Sequence, residues 1–285
     1  MVCANSVHRA TVPILLYHKE TFFFFGVLPI RQHEIVHQLM EDIPMNDLIT
    51  EFKELGLPSI SLKLRKTDDG SEYFGEGSRA DEVLIANDIG FSINVRAKGG
   101  DDRIIAGRGD DIIRGGAGDD YIYGFKGTDF LYGGAGDDRL YGQGGIDILY
   151  GGDGDDLLSG GRHSDYLSGG NGHDALIGGL GYDTLLGGEG NDLFLIGNKQ
   201  LIGDKENEGD LDFVLDFTQG EDEIFVYGDN VVVAPMHFQN YDTPDAVIVR
   251  QGDYALLLEN FTGQLTSADF ALANEIEYAE VQYYV

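Results

Sequence analysis

Read for its apolar positions alone, the chain changes rhythm at residue 97. From there to residue 195 an apolar side chain returns every nine residues without insertion, as Ile104, Ile113, Ile122, Leu131, Leu140, Leu149, Leu158, Leu167, Leu176, Leu185 and Phe194. An aspartate stands two places before each: Asp102, Asp111, Asp120, Asp129, Asp138, Asp147, Asp156, Asp165, Asp174, Asp183 and Asp192. Phased from AKGGDDRII (97–105) to GGEGNDLFL (187–195), these are eleven nonapeptides with Asp at position six and an apolar residue at position eight. Position one is Gly except at Ala97 and Ala106, position two except at Lys98, Phe125 and Gln143, and position four except at His163. Such a period points to a repeat architecture. Each unit reads as a six-residue turn, in which glycine allows φ > 0 and close backbone approach, followed by a three-residue strand. Two units make an eighteen-residue coil with a strand on each side and Ile or Leu inside. One coil cannot bury its own core, so coils must stack.

The flanks lack this beat. Residues 1–76 read as a small mixed α/β region, with a helix from Pro29 to Glu41 and a second from the N-cap Asn46 through Leu55, where Gly56 suits the C′ position. SISLKL (59–64) alternates as a strand does. Residues 78–94 carry faint versions of the repeat, so the roll is placed at 77–195 with its regular part at 97–195. Residues 196–285 read as strands and turns with a short helix near TSADF, a β-rich C-terminal cap. The fold class expected is mainly β.

Charge narrows the partners. Fifty acidic against 19 basic residues give −31, divided as −5, −11 and −15 among residues 1–96, 97–195 and 196–285. That balance disfavours nucleic acid and anionic lipid and favours a cation. The lone Cys3 excludes an intramolecular disulfide framework, and neither apolar run in the first thirty residues is long enough to span a bilayer. Stacking sets position-six carboxylates of units n and n+2 about one strand spacing, roughly 4.8 Å, apart. Uncompensated, such rows disfavour the coil. A hard dication with six or more oxygen ligands resolves this, and Ca²⁺ suits it better than the stricter octahedron of Mg²⁺.

GGAGDDYIY, GGAGDDRLY and GGDGDDLLS resemble the RTX, or hemolysin-type calcium-binding, repeat G-G-x-G-x-D-x-U-x. LDFVLDFTQGEDEIFVYG and LENFTGQLTSADF are similar to segments that close such rolls. The resemblance implies a right-handed parallel β-roll, a β-helix solenoid that folds cooperatively on Ca²⁺. The implied ligands are the eleven position-six aspartates and carbonyls of turn glycines. Those glycines are Gly107, Gly109, Gly116, Gly118, Gly134, Gly136, Gly152, Gly154, Gly170, Gly172, Gly179, Gly181, Gly188 and Gly190. Pairing units n and n+2 gives about nine ions. Sites at Phe125, Gln143 and His163 should be poorer, and Asp137, at the non-ligating position five, should matter little. The family also implies an extracellular address reached through type I secretion machinery, with EIEYAEVQYYV as an uncleaved C-terminal signal.

Three further features compete for a role. HEIVH (His33, Glu34, His37) matches the HExxH zinc helix. The continuation QLMEDI has neither the Gly nor the third His of the secreted metalloproteases, so the polar face of a helix is the preferred reading. VPILLYHKE resembles the opening strand of polysaccharide deacetylases, whose further metal ligands are not found downstream. Tyr121, Tyr123, Phe130, Tyr132, Tyr141, Tyr150 and Tyr166 occupy outward positions seven and nine, where a ladder could meet extracellular polysaccharide. The alternatives to a calcium-binding protein are therefore an accessory module or remnant of a secreted enzyme, and a carbohydrate-binding or adhesion module. An enzyme is the less favoured reading.

Overall fold

The computed structural model describes residues 15–18, 21–24, 64–66, 72–86, 90–196, 210–226, 231–237, 246–251, 254–259, 261, 263–270, 276–278 and 282–283. The chain divides into two compact units, Met1–Leu48 and Ile49–Val285. In the first, strands Leu15–His18 and Thr21–Phe24 pair antiparallel, with Leu15 opposite Phe24 and Tyr17 opposite Phe22. VPILLYHKE thus contributes one strand of a two-stranded sheet. The two expected N-terminal helices, the HEIVH segment, and SISLKL apart from Leu64 lie outside the described residues.

The second unit is a parallel β-solenoid whose chain alternates between two sheets. An eight-stranded sheet runs through Val83–Ile85, Arg103–Ile105, Tyr121–Tyr123, Arg139–Gly144, Leu157–Arg162, Ala175–Leu180, Leu193–Ile196 and Glu223–Val226. The facing sheet runs through Glu72–Glu76, Ser92–Arg96, Ile112–Ala117, Phe130–Ala135, Ile148–Asp153, Tyr166–Asn171, Thr184–Glu189 and Asp210–Val214. Register follows the eighteen-residue coil: Leu131 pairs with Leu149, and Leu140 with Leu158. Two in-phase nonapeptides are thus one turn of a coil, as the periodicity requires.

Strands exceed the three residues expected. Phe130–Ala135 and its neighbours run for six, because the first three positions of the following unit continue the ladder, with Gly134 opposite Gly152 and Ala135 opposite Asp153. Each turn is correspondingly tighter.

The position-eight side chain of every unit points inward. Ile104, Ile113, Ile122, Leu131, Leu140, Leu149, Leu158, Leu167, Leu176, Leu185 and Phe194 are all at most 1% exposed and form one continuous core. Leu84 and Val95 extend it before the repeat, and Val214 and Ile224 beyond it. Dispersion and hydrophobic transfer thus act along a line one side chain wide. Truncating a central Leu to Ala costs about 2–5 kcal/mol by the usual behaviour of buried Leu.

At the C-terminal end the sheet changes direction. Tyr254–Glu259 lies parallel to Asp210–Val214, then Ala246–Gln251 and Val231–His237 add antiparallel, and Ile276–Tyr278 joins parallel to Val231–His237. Phe217 sits between Phe194 and Phe261, at 6.2 and 5.6 Å between ring centroids, and closes the stack. The short helix expected near TSADF is a 3-10 turn, Ser267–Asp269, whose N-cap Thr266 and Asp269 form a reciprocal capping box. No helix among the described residues is long and apolar enough to cross a membrane.

Candidate metal centre

The aspartates of position six fall into two columns, one along each edge where the chain passes between sheets. Asp102, Asp120, Asp138, Asp156, Asp174 and Asp192 make the first; Asp111, Asp129, Asp147, Asp165 and Asp183 make the second. All are at most 3% exposed. In the first column each backbone N–H donates to Oδ1 of the aspartate eighteen residues on: Asp102 to Asp120, Asp120 to Asp138, Asp138 to Asp156 and Asp156 to Asp174, each at 2.8 Å. The second repeats the pattern from Asp111 to Asp129, at 2.8 Å, through to Asp165 to Asp183, at 2.7 Å. Each side chain therefore locks the turn of the preceding coil.

One oxygen per carboxylate is thereby used. The other, Oδ2, is buried without a hydrogen-bond partner at Asp102, Asp120, Asp129, Asp138, Asp147, Asp156, Asp165, Asp183 and Asp192. An anionic oxygen out of water and without a donor is costly, and it responds by holding a proton. Burial, reinforced by the Asp183 and Asp147 carboxylates, raises the Asp165 pKa to about 9. Burial with neighbouring aspartates raises Asp129 and Asp156 to about 8. Asp147 and Asp192, likewise buried, stand at about 6. Backbone N–H groups oppose these shifts without cancelling them.

This donor set fits Ca²⁺. It consists of buried, unpartnered carboxylate oxygens with no nitrogen or sulfur ligand among them, the preference of a hard cation. No group of three or more His, Cys, Asp or Glu side chains gathers among the described residues, so a multi-oxygen site would draw on backbone carbonyls. Carbonyls of positions two and four are aimed along the columns. Gly116 O faces the Cα of Gly134, and Gly118 O that of Gly136, where a Cβ would collide. The same relation joins Gly134 to Gly152, Gly136 to Gly154, Gly152 to Gly170, Gly154 to Gly172, Gly170 to Gly188 and Gly172 to Gly190.

Glycine serves two separate purposes in these turns. Positions two and four are left-handed, as at Gly134 (φ 128°) and Gly136 (φ 125°). Position one is not: its glycine makes room for the unit's own aspartate, since a methyl at Gly133 would lie 2.6 Å from the Asp138 carboxyl carbon. The expectation of φ > 0 at all three positions is corrected to two. Phe125, Gln143 and His163 hold the left-handed turn nonetheless, at φ 83°, 76° and 80°, a region that costs non-glycine residues strain. All three lie on the second edge. Gly107 and Gly109, also on that edge, stand apart: Gly107 N–H donates to Asp111 Oδ2 at 3.1 Å, and Gly109 is not left-handed.

The columns also recruit residues that the repeat does not mark. Glu82 N–H donates to Asp102 Oδ1 at 2.7 Å, Asp183 N–H to Asp212 Oδ1 at 3.1 Å, and Asp192 N–H to Asp222 Oδ1 at 3.0 Å. Their separations of 20, 29 and 30 residues hide them from an eighteen-residue search. A local signal was available: each stands two places before a core residue, Leu84, Val214 or Ile224.

Position five makes a ladder of its own on the first edge. Asp119 N–H donates to Asp101 Oδ1, Asp137 N–H to Asp119 Oδ1, Asp155 N–H to Asp137 Oδ1 and His173 N–H to Asp155 Oδ1, at 2.8–3.0 Å. These side chains are exposed, and Asp137 is a turn-locking residue rather than an idle one.

The tyrosines separate onto two faces. Tyr123 and Tyr141 are 6% and 1% exposed, against the expected outward display, and stack on each other at 4.5 Å. On the opposite sheet Tyr132 and Tyr150 stack at 5.3 Å and 12°, with Arg114 over Tyr132 at 5.0 Å. Tyr150 lies tilted at 56° against Tyr166, 5.9 Å away, and remains exposed.

Residues 96–131, 123–158, 141–176 and 168–197 match four copies of the RTX calcium-binding nonapeptide repeat. Among solved structures, the extracellular lipase LipA from Serratia marcescens aligns at 17% identity and TM-score 0.27 over 71% of this chain and 40% of that one. The chain thus spans well under half of that protein. No curated protein matches it.

Proposed function

We propose that this chain, whose residues 96–197 are RTX calcium-binding repeats, is an extracellular β-roll protein that binds several Ca²⁺ ions and folds cooperatively on them after secretion. The observation that carries the reading is the double column of buried aspartates, nine of which, from Asp102 to Asp192, hold a second carboxylate oxygen without a donor. Bound Ca²⁺ would supply positive charge and coordination to those oxygens. The position-six carboxylates would hold it, with carbonyls from glycines such as Gly116, Gly118, Gly134, Gly136, Gly152 and Gly154. Gly170, Gly172, Gly179, Gly181, Gly188 and Gly190 would serve likewise further along.

The protein's own part is orientation and exclusion of water. Oδ1 is committed to the neighbouring coil, so Oδ2 is held in one direction within the turn. Left-handed glycines bring carbonyls to the same line without a side chain intervening. Where Ca²⁺ is scarce, −31 of net charge and the self-repelling columns favour the open chain. At millimolar Ca²⁺, binding to the folded state alone draws folding forward. An open chain suits passage through a secretion channel, and the family's habit of export by type I machinery supports the extracellular address.

The test is circular dichroism of the full chain with millimolar Ca²⁺ and with chelator. The expected result is a reversible passage from coil to β, steep in Ca²⁺ concentration. A β spectrum indifferent to chelator, with no ion bound, overturns the proposal.

A further inference from the structure

The two edges of the roll show opposite charge to solvent. At positions three to five, the first edge exposes Asp101, Asp119, Asp137, Asp153, Asp155 and Glu189, with no Lys or Arg among them. The same positions of the second edge expose Arg108, Lys126 and Arg162 against one carboxylate, Asp110. Asp110 is engaged within the edge, its Oδ1 accepting from Thr128 N–H at 2.9 Å. Among the described residues none of these three cations forms an ion pair; the pair found there is Lys98 with Glu76, at 3.5 Å. Net charge of −31 drives copies of this chain apart, and a cationic strip is the kind of surface that reverses this locally.

Coil by coil, the two edges are complementary without any shift. The coil 97–114 carries Asp101 on its first edge and Arg108 on its second, and the coil 115–132 carries Asp119 and Lys126. In the coil 151–168, Asp153 and Asp155 stand on the first edge and Arg162 on the second. Where the second edge turns apolar, at Leu180 and the exposed Tyr182, the first edge of the same coil has Asn171 and His173 and no carboxylate. The coil 133–150 departs from the match, with Asp137 on one edge and Gly144 and the exposed Ile146 on the other. The ladders fix these intervals: Asp153 is in register with Ala135 and Asn171, and Arg162 with Gly144 and Leu180. Both strips therefore advance by one strand spacing per coil, about 4.8 Å.

We infer that the second edge of this chain binds the first edge of a second copy, with the two rolls parallel and side by side. Arg108 then faces Asp101, Lys126 faces Asp119, and Arg162 faces Asp153 and Asp155. A single exposed pair contributes little, whereas three in fixed register form a network. The contact joins unlike surfaces and does not close between parallel rolls, so copies add into a row. A free polyanion would meet the same cations but would have no need of the coil-by-coil match. The contact requires the folded roll and no particular set of metal ligands.

Sedimentation velocity of the full chain in millimolar Ca²⁺ tests this across protein concentration, at low salt and at about 1 M, where the Debye length falls to roughly 3 Å. The parent chain should gain mass with concentration at low salt and return to the mass of one chain at high salt. The triple variant Arg108→Glu, Lys126→Glu, Arg162→Glu should lose the association and keep the parent's circular dichroism spectrum. Arg162→Glu and Asp153→Lys should each weaken association alone, and both in one chain should restore it, because the reversed pair meets across the contact. A parent chain that stays monomeric at low salt overturns the inference, as does association that survives the triple variant. A monomeric parent that holds a soluble polyanion through the same three cations assigns the edge to that partner and equally overturns it. Should the triple variant not fold, the salt response and the reversed pair decide, and failure of the pair to restore association overturns the inference.

Discussion

Asp138 donates its backbone N–H to Oδ1 of Asp156 at 2.8 Å while its own Oδ1 accepts from Asp120 N–H at the same distance. One residue therefore closes two turns, one through its backbone and one through its side chain. Its remaining oxygen, Oδ2, is buried with no hydrogen-bond partner. The turn-locking role of this side chain and the metal-binding role proposed for it reside on different oxygens, and substitution can separate them.

Asp138→Asn keeps an acceptor at Oδ1 and removes the charge. The variant should lose Ca²⁺ affinity at its site yet be more stable than the parent chain in chelator at pH 8, because a buried repulsive group is gone. Asp138→Ala also leaves the Asp120 N–H without its partner, a loss of about 1–3 kcal/mol for a buried donor. In chelator, the pH at which β content is lost should rank the three as Asn above parent above Ala.

The metal-free roll should be an acid-stabilised structure. Burial lifts Asp147 and Asp192 to about 6, Asp129 and Asp156 to about 8 and Asp165 to about 9, above the unfolded value near 4. With the folded value the higher, the folded chain binds protons that the unfolded chain has released. Their contribution is complete below about pH 4 and is lost as pH rises through roughly 6 to 9. In chelator, β content should fall across that window. A midpoint near pH 4 would assign the change to exposed carboxylates. Ca²⁺ binding at pH 7 should release protons, measurable as a buffer-dependent heat.

Asp137→Ala, next to the column, removes an exposed acceptor of the Asp155 N–H at 3.0 Å. It should cost about 0.5–1.5 kcal/mol, the net worth of an ordinary hydrogen bond, and leave the number of bound ions unchanged. Ion counting and thermal unfolding together distinguish this from Asp138→Ala.

Phe125→Gly and Gln143→Gly should stabilise the second edge. Their φ values of 83° and 76° cost a non-glycine residue about 1–2 kcal/mol, partly offset by the roughly 0.5–1 kcal/mol of extra chain entropy that glycine loses on folding. A gain of up to about 1 kcal/mol per site is expected by the same arithmetic, seen as a lower Ca²⁺ midpoint. Gly134→Ala should do the reverse more strongly, because at φ 128° a Cβ also collides with Gly116 O.

Much of this was legible because Asp138 and Leu140 recur in phase, and a strict nine-residue beat leaves one way to stack the coils. What escaped notice has definite causes. Asp212 and Asp222 sit behind loops that stretch the spacing to 29 and 30 residues, so phase is lost while the local Asp-x-apolar pattern survives. Glu82 replaced the expected residue type as well as its interval. The burial of Tyr123 and Tyr141 is a tertiary fact, since strand alternation alone assigns them to the outside. That Phe125 and His163 would accept left-handed geometry follows from the stack, which imposes its turn on whatever residue arrives.

The position-six ladder has a grain. Every amide in it points to a side chain from the coil nearer the C-terminus, so each loop is finished by its successor. Shortening the stack from its N-terminal side merely returns a carboxylate oxygen to water. Cutting it from the other side strands an amide with no acceptor, at the place where Asp212 and Asp222 now stand. The roll thus has a direction, with its stop at the C-terminal end, where strand Asp210–Val214 receives the last regular coil.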